Sequence, residues 1–132
     1  MTIAPTRQEI FNKAYLGVIA QGGPSKGNCG CRYAGANGRA CGVGQLVDKA
    51  TAMAWDSAYD TSIDVIIKDG WADRCGFDWM ADHIVLLMDV QYAHDSASTN
   101  TAFIRQFTHS MSKVAEDHGL TMPANQSIGE NQ

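Results

Sequence analysis

The chain has no apolar run long enough to span a bilayer. Its longest strongly apolar stretch, residues 84–88, falls far short of the ~20 residues a membrane helix needs. Its first residues, Met1 to Arg7, lack the apolar segment of a secretory leader. On both counts we expect a protein that stays in the cytoplasm of the cell that makes it. Clustered basic charge is missing as well. Ten Lys and Arg are scattered against fourteen Asp and Glu, for a net charge of −4. That balance argues against direct nucleic-acid binding, which relies on grouped cations to neutralise phosphates. The acidic residues are in turn too dispersed for a nucleic-acid mimic. There is no internal repeat, no linker long enough to divide the chain, and no motif that names a reaction.

What is present fits one domain. A chain of 132 residues with 45% apolar residues can bury a core without staples. We read residues 1–123 as a single globular domain and the polar residues 124–132 as a flexible tail. Thr6-Arg-Gln-Glu9 is a capping-box pattern. Behind it Ile10, Phe11, Ala14, Tyr15, Val18 and Ile19 recur at helical spacing. The first helix is therefore expected from about Arg7 to Ala20, stopped by Gly22-Gly23-Pro24. Asp78 to His94 reads as a second long helix, capped by Asp78. Its wide apolar face marks it as central and well buried. Phe103, Ile104, Phe107, Met111, Val114 and Ala115 mark a third, from Asn100 to His118, with Gly119 just past its end. Between these, residues 45–59 suggest a helix. Residues 62–69 fit either a strand or two helical turns, and Ser62 and Gly70 as cap residues favour helix.

The glycine-rich stretch from Cys31 to Val47 reads as a small hairpin with Asn37-Gly38 in its turn. With a three-residue loop, Tyr33 faces Cys41 across the strands and Cys31 lies diagonally opposite Cys41 on the same face. The fold class expected from all this is α+β and mostly helical: three main helices with a Cys-flanked β-hairpin packed on one side.

Several patterns suggest chemistry, and each has a plainer reading. Cys29, Cys31, Cys41 and Cys75 have the ligand types of a zinc site. However, Cys29-Gly-Cys31 is C-x-C rather than C-x2-C, so ordinary reduced thiols, with no metal and no cofactor, are expected. Cys41 before a helix start, with His94 as base and Asp95 as its orienter, would make a nucleophilic constellation. The plain alternative is a packed thiol and a helix-end histidine. Gly42-Val-Gly44 lacks both a third glycine and a Walker lysine, so it is no phosphate cradle. Trp71 and Arg74 sit in a polar stretch among acidic residues. An exposed aromatic beside arginine is a common interface pairing, and these two are our candidates for partner binding.

Arg7-Gln-Glu-Ile-Phe-Asn-Lys13, the serine-containing loop 21–25, Cys31-Arg-Tyr33, the Asn37-Gly38 turn and Cys41-Gly-Val-Gly-Gln-Leu-Val47 occur in that order. Leu87, Gln91 and His94-Asp95 follow as a Leu-x3-Gln-x2-His-Asp pattern. Together these resemble a group of small tailed-phage and prophage proteins, closely over residues 6–47 and loosely over 80–120. Arg32 precedes the tyrosine where the group has an arginine after it, and Gly42 stands where the group has alanine. The resemblance implies a phage or mobile-element origin and brings no activity with it. The expected function is a phage-encoded, non-catalytic effector acting in the host cytoplasm. It would bind a host protein or complex, and an anti-CRISPR-type inhibitor is the concrete form. The alternative is a small enzyme using Cys41, His94 and Asp95. Neither the partner nor the oligomeric state is readable from the sequence.

Overall fold

Thr6 starts the first helix as its capping pattern requires. Its hydroxyl accepts from the Glu9 N–H at 3.1 Å, and the Glu9 carboxylate accepts from the Thr6 N–H at 2.8 Å. These contacts come from a computed structural model that describes residues 4–27, 30–35, 38–58, 61–97 and 101–123. The expected tail, 124–132, lies outside those residues. Helix α1 runs Arg7–Gln21 and stops at Gly22 in the left-handed region. After the glycine-rich segment come α2 (Lys49–Asp56), α3 (Ile63–Lys68), α4 (Trp71–Arg74), α5 (Ile84–Asp95) and α6 (Phe103–His118).

The chain is thus a helical protein with six helices among its described residues, not an α+β one. The Cys31–Val47 hairpin does not form. The one antiparallel pairing among the described residues is a two-residue bridge, with Lys26 opposite Cys31 and Gly27 opposite Gly30. Residues 44–46 form a single 3-10 turn instead of a strand. Asn37, expected in the hairpin turn, lies outside the described residues, whereas Gly38 does take a positive φ of 74°. The Gly35 N–H does donate to the Arg39 carbonyl across the expected turn at 2.8 Å, but beyond that bond the backbone groups find side chains instead of a second strand. The N–H groups of Tyr33 and Ala34 donate to the two carboxylate oxygens of Asp56 at 2.8 and 2.9 Å. Ala40 is bonded through both its N–H and its carbonyl by the Gln21 amide. A backbone already satisfied in this way gains nothing from a ladder.

The other expectations fare unevenly. Residues 63–68 are helical, with Ser62 at the N-cap and Gly70 just beyond the end. The long Asp78–His94 helix is divided: residues 78–83 wind as 3-10, and the α-helix begins only at Ile84. The last helix begins at Phe103 and is closed by Gly119.

Helices α1, α5 and α6 pack on one another around a single core. Ile10, Phe11, Ala14 and Val18 face Leu86, Leu87 and Val90 and the Phe103, Phe107 and Met111 stripe, all buried. The loop 38–46 closes one side of this core through close backbone contact. A Cβ on Gly44 would run into the carbonyl oxygen of Tyr33, and one on Gly42 would sit 2.7 Å from Val90 Cγ1. Only glycine permits that approach. No helix among the described residues is long and apolar enough to cross a membrane.

Candidate functional site

The Cys41, His94 and Asp95 trio of the enzyme alternative resolves into structural parts. His94, at the end of α5, is fully buried. Its Nε2 accepts from the backbone N–H of Ser25 at 2.9 Å. A backbone N–H can only donate, so the ring proton sits on Nδ1 and is donated to Asp95 Oδ1 at 2.8 Å. Phe103 and Phe107 meet the ring edge to face. With both nitrogens engaged, the imidazole has no lone pair left for a thiol. What His94 does is hold the start of the loop after α1 against the core. Ser25 then extends the hold, its hydroxyl donating to the carbonyls of Arg32 and Arg39 at 2.7 and 3.3 Å.

Cys41 is buried in the same region. Desolvation is the main cause of a thiol pKa pushed up to about 12 from 9.0, partly offset by the Gly44 N–H that donates to Sγ at 3.3 Å. A thiol so held is a weak nucleophile near neutrality. Tyr33, expected beside Cys41 across a hairpin, is also buried. It donates its hydroxyl to the Thr61 carbonyl at 2.5 Å and meets the Trp55 ring edge-on at 5.4 Å. Burial raises its hydroxyl pKa, and the nearby Cys41 adds to the rise. Cys75 is exposed and Cys29 lies outside the described residues. Among the described residues no three His, Cys, Asp or Glu side chains group as metal ligands.

Trp71 and Arg74 do come together. The Arg74 guanidinium lies 5.5 Å from the centre of the Trp71 ring, on the short helix α4. Arg74 is exposed, but Trp71 is only half exposed and packs against the core.

The largest uncovered apolar feature lies elsewhere, on α5. Val85, Met88 and Tyr92 are 64%, 42% and 72% exposed. At spacings of three and four they form one line along the helix. The wide apolar face of the Asp78–His94 segment predicts a central, well-buried helix. The structure buries only the Leu86, Leu87, Val90 and Ala93 side. The signal for the outer line was the i, i+3, i+7 run itself, on the side facing away from Leu86, Leu87, Val90 and Ala93.

Tyr92 stands between two shallow grooves. One, of about 330 Å³, lies between α3 and α5 and is lined by Tyr33, residues 61–64, Met88, Gln91, Tyr92 and Asp95. The other, of about 230 Å³, lies between α5 and α6 and includes Asp89, Lys113 and Asp117. Asp89 is itself fixed by His118. Arg7 donates to His118 Nδ1 at 2.6 Å, so the Nε2 proton goes to Asp89 Oδ2 at 2.8 Å. The face can dock a partner through apolar contact bordered by carboxylates. It presents no activated nucleophile. No family model, curated protein or solved structure matches the chain.

Proposed function

We propose that this protein is a phage-encoded, non-catalytic effector that works in the host cytoplasm by occupying the surface of a host protein or complex. Inhibition of a CRISPR-type defence complex is the concrete form. The observation that carries the reading is the exposed Val85, Met88 and Tyr92 line on a helix whose opposite side anchors the core. Such a line has no purpose in the fold, and large exposed apolar residues in a row are characteristic of interaction sites. The Trp71–Arg74 pair is a second, smaller aromatic element of the same kind. Against the enzyme alternative stand the raised Cys41 pKa and the complete engagement of His94.

The test is phage plaquing on a host whose CRISPR system targets that phage. Expression of the wild-type protein is expected to restore plaques. Met88→Ala with Tyr92→Ala is expected to abolish the effect while the protein stays folded, since truncating a central interface aromatic costs about 2 kcal/mol or more of binding. Trp71→Ala with Arg74→Ala measures what the second element adds. A wild-type protein that restores no plaques overturns the anti-CRISPR form.

A further inference from the structure

Resting on the effector reading, we propose the chemistry of the partner: the α5 face takes a polypeptide segment that is apolar at its centre and carries Lys or Arg at its flanks. The apolar centre is Val85, Met88 and Tyr92. Carboxylates border it on both sides. Asp64 and Asp95 line the α3–α5 groove, and Asp89 and Asp117 line the α5–α6 groove. Among the described residues Lys113 is the one lysine or arginine lining either groove.

Two of these carboxylates are turned by histidines that do not neutralise them. His94 accepts from Ser25 and His118 accepts from Arg7, so each imidazole is neutral while it donates to Asp95 or Asp89. The negative charge stays on the rim, positioned and uncompensated by its own hydrogen-bond partner. Such a border attracts a basic segment and steers its approach. It also discriminates. A second copy of the chain, docked face to face, would set the same four carboxylates against each other. A nucleic acid would bring phosphates to them. The occupant that fits both the apolar line and its border is therefore a basic, amphipathic stretch of protein.

The probe is a labelled helical peptide of leucine and lysine, set against its leucine–glutamate counterpart, with binding read by fluorescence anisotropy and amide shifts. We expect the lysine peptide to bind and its amide shifts to fall on α5 and α3. Added salt should weaken it, and the glutamate peptide should not bind. Met88→Ser with Tyr92→Ser, and separately Asp64→Asn with Asp95→Asn, should each weaken binding about tenfold or more. Tyr92→Ser alone serves if the double change perturbs folding. Unchanged affinity in these variants, shifts confined to another face, or equal binding of the two peptides overturns the proposal. So does a concentration-dependent dimer in sedimentation that Met88→Ser with Tyr92→Ser dissolves. The two readings fail separately. Lysine-peptide binding at this face without any effect on plaquing leaves the inference and overturns the anti-CRISPR form of the effector. Plaquing restored through this face without a preference for the lysine peptide does the reverse.

Discussion

At the scale of single residues, a few buried polar side chains do what a β-ladder was expected to do. Asp56 is the clearest. Its carboxylate accepts two backbone N–H groups, and the Arg32 guanidinium lies 3.7 Å away. Asp56→Ala strands both donors, and we expect a loss of about 3 kcal/mol in chemical denaturation. Asp56→Asn, which keeps one acceptor, should lose less. Cys41 makes a second prediction. Its folded pKa lies above its unfolded value, so the folded state holds the proton more tightly. The stability this contributes is complete below pH 9.0 and is lost as pH rises toward about 12. Unfolding free energy should fall through that window by up to about 1.4 kcal/mol per pH unit for this group. Tyr33, also raised, adds to the fall from its own ordinary pKa of 10.0 upward. Cys41→Ala should flatten the slope. At pH 8 a thiol reagent should modify the exposed Cys75 quickly and leave Cys41 unreacted until the protein unfolds. A fast-reacting Cys41 would reopen the enzyme reading.

At the scale of elements, the local signals at the start of α1 and the end of α6 hold, while those for an Asp78 cap and for the hairpin do not. The capping box placed the start of α1 at Arg7, and Thr6→Ala is expected to cost about 1 kcal/mol. Ser62 stands at the N-cap position of α3 and Gly70 follows its C-cap Asp69, and Gly119 in the left-handed region closes α6, whereas Asp78, expected as a cap, is instead the first residue of the 3-10 turn. Helix α5 is different. Its composition says apolar, but which apolar side meets the core depends on where α1 and α6 lie. Leu87→Ala is expected to cost 2 kcal/mol or more, on the order of other buried leucine truncations. Met88→Ala and Tyr92→Ala, one and five residues away, should each change stability by about 0.5 kcal/mol or less. Equal losses at the three positions would mean that the outer line is covered by this chain itself. Trp71 stands between these cases. Because its ring packs partly on the core, Trp71→Ala should lower stability as well as any binding it supports.

At the scale of the whole molecule, the polar bonds join segments far apart in sequence. His94 reaches Ser25, Asp56 reaches Tyr33, and Arg7, His118 and Asp89 tie both ends of the described chain to α5. The described residues between Ser25 and Leu46 are held by these ties and by Gly44 lying against the Tyr33 carbonyl. Gly44→Ala must move that carbonyl or the turn, so it should lower the unfolding free energy by an amount typical of overpacking, about 1–3 kcal/mol, and the melting temperature with it. Thermal melts would read the shift directly.

The sequence by itself determined the helices whose caps and apolar periods are local, α1, α6 and the later part of the Asp78–His94 segment, whereas over residues 62–69 it left strand and helix both open and only favoured helix. It also determined the identity of the core residues on α1 and α6, since a stripe at helical spacing has only one side to bury. Tertiary structure alone decided three things. It kept Cys31–Val47 from forming a hairpin, because Asp56 and Gln21 arrive from other segments and bond the backbone of Tyr33, Ala34 and Ala40. It made His94 a fixed donor to Asp95, because Ser25 occupies the nitrogen a base would need. And it left Val85, Met88 and Tyr92 in solvent, because α5 carries apolar residues on two sides and its neighbours cover only the Leu86, Leu87, Val90 and Ala93 side.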